Sequence, residues 1–211
     1  MIPEEKANVL ALMRRLREMN DEDYLQNLIA YHAAPTILGV KPATLVCPGA
    51  VERNLEQALA ECSERLERTL NITIASFRNR AGALLLFVYN APLLRSTLFA
   101  CDVAELLRDA GYDAPTAGIE SLLERLRRKC AESAFPHEIG VFLGYPAADV
   151  KCFMNRGGKD CRAVCCWKTY GDVKEATRRS SRYTRAKMTA AQLIVRGAGL
   201  SEVANGLRAA V

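Results

Sequence analysis

Apolar residues at 9, 12, 13, 16 and 19 lie on one side of a helical wheel, with Glu4 and Glu5 before them and Arg14, Arg15 and Arg17 near the end. The pattern predicts an amphipathic helix over about 3–19 whose charges match its dipole. Asp21 is suited to N-cap a shorter helix over 22–31 that buries Leu25, Leu28 and Ile29. A longer helix is expected over 51–70, where Leu55, Leu59, Cys62, Leu66 and Leu70 keep helical spacing and Glu61–Arg65 and Glu64–Arg68 pair one turn apart. The continuous apolar run 83–89 reads as a central strand covered on both faces. Helices are expected at 92–100, at 102–110 with Asp102 as N-cap and Gly111 after its end, and at 117–132.

Further on, 139–145 reads as a second buried strand. Pro146 opens a helix over 147–155 that Gly157-Gly158 ends, and 163–170 reads as a third strand. Asp172 caps a long helix over 173–196, and a small helix follows at 200–208. Strands alternating with helices predict a single α/β domain over residues 1–211, with a small central sheet of about three or four strands flanked by helices.

Composition adds limits. The apolar run at 81–89 is far short of the ~20 residues that span a bilayer, so no membrane span is expected. The acidic start Met-Ile-Pro-Glu-Glu is unlike a secretory signal and points to the cytoplasm, where the eight cysteines are expected to be reduced. Charge is uneven: 1–150 carries 16 basic and 20 acidic residues, whereas 151–211 carries 13 and 4. Within that basic third, Lys174, Arg178, Arg182 and Arg185 recur at helical spacing, with Arg179 beside them. Such a stripe either faces solvent or receives an anionic partner; no nucleic-acid motif accompanies it, so nucleic acid is not the expected partner.

The densest stretch is His-Glu-Ile-Gly-Val-Phe-Leu-Gly-Tyr-Pro-Ala-Ala-Asp-Val at 137–150, which holds one of two histidines, a Gly-Tyr-Pro corner and an acid. Together with His-Ala-Ala-Pro-Thr-Ile-Leu-Gly-Val-Lys-Pro-Ala-Thr-Leu at 32–45 it resembles an uncharacterised bacterial family, common in anaerobes, catalogued as domain of unknown function 3793. In that family the position matching Ala33 is frequently cysteine, so this chain departs from the pattern there. The resemblance implies a Cys, His, Asp order like that of papain-like or transglutaminase-like thiol enzymes. Position 33 is then the nucleophile, His137 the proton shuttle and Asp149 the orienting acid for acyl transfer or amide chemistry on a small or carrier-bound acyl substrate. With Ala33 in place the chemistry lacks its thiol here.

Geometry weighs against the full triad. A straight strand over 139–145, at ~3.3 Å per residue, sets His137 and Asp149 more than ~20 Å apart; only a hairpin at 143–146 brings them together. His137 has a second reading as a hydrogen-bonded strand anchor, and Asp149 as an acid matched to a helix dipole. The alternative function is non-catalytic binding of a small anionic or iron- or haem-linked ligand. The proposed site combines the 32–41 bend, including Thr36 and Lys41, with His137 and the corner of Tyr145 and Asp149, since ligands of open α/β sheets gather beyond strand ends. Arg178 and Arg182 are the anion-binding candidates of the basic helix. No cofactor is expected. Cys152, Cys161, Cys165 and Cys166 lack paired Cys-x-x-Cys spacing and read as buried thiols rather than a metal site.

Overall fold

The computed structural model describes residues 3–49, 53–113, 118–132 and 135–209. Its sheet consists of three antiparallel strands in the order β1 (Ala43–Val46), β3 (Leu84–Tyr89), β2 (Thr73–Arg78). The apolar run at 83–89 is indeed the central strand. Leu86 pairs with Val46 on one side and Ser76 on the other, and Tyr89 with Ala43 and Thr73. Side chains of a strand alternate between faces, so Leu86 and Val88 enter one core while Leu85, Phe87 and Tyr89 enter another.

The first core is covered by α1 (Pro3–Arg17), α2 (Asp21–His32), α4 (Leu55–Leu70), α10 (Val173–Val195) and α11 (Leu200–Ala209). The second is covered by α5 (Ala91–Leu98), α6 (Cys101–Asp109), α7 (Ile119–Glu132) and two short helices, α8 (Ile139–Phe142) and α9 (Ala147–Arg156). The one-turn helix α3 (Ala34–Ile37) leads from α2 into β1. Helices on both faces of a small sheet give the α/β domain that the sequence predicts.

Caps fix most boundaries. Asn20, rather than Asp21, caps α2, its side chain accepting from Asp23 N, while Asp21 holds Arg53 and the backbone of Asn54. Ala100 precedes α6, so Asp102 sits in its first turn instead of capping it. Gly111 and Gly157 adopt positive φ just beyond α6 and α9, as expected of helix stops. The expected start of α4 at 51 and of α7 at 117 lies outside the described residues.

Two strand expectations fail. Residues 139–145 form α8 and a turn, not a strand. A short apolar run has no decisive period, and here the glycines decide. A Cβ on Gly140 would stand 2.7 Å from Val150 Cγ2, and Gly144 needs φ +79° where Pro42 leaves no room for a side chain. Both features serve a tight helix–turn–helix. Residues 163–170 are a small separate hairpin of β4 (Ala163–Val164) and β5 (Lys168–Thr169), not a third strand of the main sheet. The strand-end rule for parallel sheets therefore does not locate the site, because every pairing in the main sheet is antiparallel.

Candidate functional site

The turn between α8 and α9 swings the chain back on itself, so His137 and Asp149 line one cleft of about 300 Å³. The ~20 Å separation of a straight strand does not apply. Ile139, Leu143, Val150 and Phe153 make the apolar lining, and Tyr145 and Trp167 stack at 5.1 Å with 22° between their planes. His137 is exposed at the edge, its ring meeting Phe153 edge-on at 5.0 Å. Lys168 also stands at the edge, with Nζ donating to Gly158 O at 2.7 Å and lying over the Phe153 ring.

Asp149 is in the cleft wall but is already engaged. Its Oδ2 accepts from Trp167 Nε1 at 2.7 Å, and its Oδ1 accepts from the backbone N–H of Tyr170 at 2.9 Å and of Gly171 at 2.8 Å. Only 3 % of the residue is exposed. The carboxylate clamps the β4–β5 hairpin to α9. Among the described residues no hydrogen bond joins it to His137, so the triad's orienting acid is a structural anchor here.

The presumed nucleophile position is elsewhere. Ala33 is fully buried in the first core at the C-cap of α2, whereas Ile139 and Phe142 beside His137 belong to the second core across the sheet. The bend and the imidazole therefore do not open into one cavity. Thr36 is fully buried too, its Oγ1 2.9 Å from Thr44 Oγ1. His32 stays with the first layer, its ring packed edge-on against Tyr31 at 4.9 Å. The two imidazoles share no centre for iron or haem.

Only the far end of the 32–45 segment reaches the corner. Pro42 packs onto Gly144, and the Lys41 ammonium lies 5.8 Å from the centroids of both Tyr145 and Tyr183. Burial, with Lys187 and Arg179 nearby, holds the Lys41 pKa down at about 8. Burial and the neighbouring Cys166 and Tyr183 push the Tyr145 phenol up to about 12. Burial first, then Lys187, lowers His32 to about 4.

The basic stripe is less available than its sequence suggests. Arg178 donates to both carboxylate oxygens of Glu175, at 2.8 and 3.0 Å. Arg182 and Arg185 border a groove whose opposite side carries Glu4 and Glu5. The cation of this helix that does reach the corner is Arg179, which donates to Gly144 O and keeps a strict four-residue spacing with Tyr183 and with Lys187, whose ammonium lies over Tyr31. That spacing was the signal for an inward face. Of the four clustered cysteines, Cys165 lies 3.8 Å from Thr177 Oγ1, and the Cys166 backbone N–H donates to Ser180 Oγ. No metal-binding group of three or more His, Cys, Asp or Glu side chains occurs among the described residues.

A protein-family model described as "Protein of unknown function (DUF3793)" matches residues 29–204. The chain belongs to this family. Both quoted stretches, 32–45 and 137–150, fall within the match to domain of unknown function 3793, and so does the junction of Lys41 with Tyr145. No curated protein and no solved structure matches the chain. No helix among the described residues is long and apolar enough to cross a membrane.

Proposed function

We propose that this protein binds, without transforming it, a small carboxylate with an apolar body, held in the cleft between α8, α9 and the Trp167 hairpin. The observation that carries the reading is the preformed apolar cleft with one aromatic wall and two polar side chains, the His137 imidazole and the Lys168 ammonium, on its edge. A volume of about 300 Å³ is at the low end for ligand sites and selects a small guest. The Tyr145–Trp167 pair offers a flat face to a ring or short chain, and Lys168 offers a counter-charge to an acid group. Thiol chemistry through His137 is not part of the proposal: among the described residues no cysteine lines the cleft, and Asp149 is committed to Trp167.

Trp167 is the single tryptophan of the chain, so its emission reports directly on the cleft. Titration with 4-phenylbutyrate is expected to change that emission saturably. The neutral amide of the same acid, or the K168M variant with the acid, is expected to bind several-fold more weakly, as for a partly exposed ion pair. The bulky V150W variant is expected to fill the cleft and abolish the response. Absence of saturable binding, or equal binding in V150W, sinks the reading.

A further inference from the structure

On the other side of the Tyr145–Trp167 pair lie three cations, none of them in an ion pair among the described residues. Lys41 projects from the segment before β1, and Arg179 and Lys187 from α10. Among the described residues neither lysine ammonium has a carboxylate within ion-pair distance or donates a hydrogen bond. They rest on aromatic faces instead: Lys41 over Tyr145 and Tyr183, and Lys187 6.0 Å from the Tyr31 centroid. Arg179 lies 5.4 Å over Trp167 and spends one nitrogen on Gly144 O at 2.5 Å and Tyr183 OH at 3.2 Å. Both lysines are partly buried, and the positive charge of Lys187 lowers the proton affinity of Lys41 and His32.

Partly buried like charges cost stability unless an anion meets them. Ring faces compensate only in part. We propose that Lys41, Lys187 and Arg179 form a binding site for a phosphate-class dianion, either free phosphate or a phosphomonoester. Two negative charges fit three cations better than one does; a monocarboxylate would leave the cluster strongly positive. Point-charge ammonium groups suit a tetrahedral oxyanion, which accepts from several directions. The phenol of Tyr145, kept protonated and with no hydrogen-bond partner among the described residues, is a further donor for an anion oxygen. This site is separate from the cleft and stands or falls independently of it.

The test is calorimetric titration of the whole chain at pH 7 with inorganic phosphate and, separately, methyl phosphate, against sodium chloride at matched ionic strength. Saturable binding of phosphate and not chloride is expected, with K41M and K187M each weakening it at least ~10-fold, the loss of about 1.4 kcal/mol of binding. K41R is expected to stay within a few-fold of wild type, which guards against a folding defect in K41M. R178A, altered at the exposed arginine already paired with Glu175, is expected to bind as wild type. Methyl phosphate binding as well as phosphate identifies a monoester as an acceptable ligand; binding confined to inorganic phosphate identifies the free ion. No saturable phosphate binding overturns the proposal, as does wild-type affinity in K41M and K187M, or an equal effect of chloride.

Discussion

Two partly or fully buried charged centres sit a few side chains apart, and they are treated in opposite ways. Asp149 receives three donors, one from Trp167 and two from the backbone after β5, and is consumed by the fold. Lys41 and Lys187 receive aromatic faces and each other. A charge whose hydrogen bonds are all satisfied internally is architecture. A charge left uncompensated by its own chain has a cost that only an outside partner offsets. By this criterion the conspicuous acid of the 137–150 stretch is structural, and the inconspicuous lysine before β1 is the better functional candidate.

The largest effect that would break the comparison is at Asp149. D149A strands the Trp167 indole N–H and two backbone amides, so a loss of about 3 kcal/mol or more is expected in chemical denaturation, with release of the hairpin seen as a red shift of Trp167 emission. A loss under ~1 kcal/mol would mean that the clamp is not structural. At position 33, A33C introduces a sulfur into a fully buried site and is expected to cost about 1–3 kcal/mol by overpacking. Its thiol is expected to resist a thiol-reactive probe at neutral pH in the folded protein and to react once denaturant is added. Rapid labelling of native A33C would restore the thiol-enzyme reading of that position.

On the cationic side the sign reverses. K41M, without phosphate, is expected to raise stability by about 1 kcal/mol, because an uncompensated charge is replaced by a chain of similar shape. The accompanying pH dependence follows from the depressed pKa. Lys41 binds its proton less tightly folded, at about 8, than unfolded, near 10.5, so its destabilisation is complete below pH 8 and is relieved as pH rises toward 10.5. The K41M variant should therefore lose that rise in a series of melts between pH 7.5 and 10.5. His32 behaves alike at lower pH: lowered from 6.5 to about 4, it costs stability in full below pH 4 and regains it as pH climbs to 6.5, a slope that H32F removes. The smallest change is expected for R178A, a melting midpoint indistinguishable from wild type, since its partner Glu175 is one helical turn away and the pair faces solvent.

Much of this was legible in the chain. Periodicity located the long helices, because a sustained 3.6-residue pattern fixes one buried face, and the central strand was legible from its short, continuous run of strand-forming apolar residues rather than from a period. It missed β1, a four-residue strand whose partner is distant in sequence, and β2, the hairpin neighbour of β3 across 79–83, which mixes polar with apolar residues; it also misread 139–145, where two glycines rather than the apolar residues set the backbone. The candidate site was legible residue by residue but not as an assembly. His137, Tyr145 and Asp149 do share a cleft, and Lys41 does meet Tyr145. Ala33 and Thr36, only a few positions earlier, turn into the opposite core. The decisive cue for Lys187 was its place in the four-residue series after Arg179 and Tyr183, which marks an inward helix face that the flanking arginines disguise.

The two layers also differ in how they draw on the chain. The second core takes its helices from one continuous segment, 91–156, which can settle on the sheet as soon as it is made. The first needs α1, α2 and α4 to wait for α10 and α11. Lys41 and Lys187 therefore come together only when that last docking step closes a loop of well over a hundred residues, a slow contact of high sequence separation. The phosphate cradle is thus a late product of folding, and its appearance would time the completion of the whole domain.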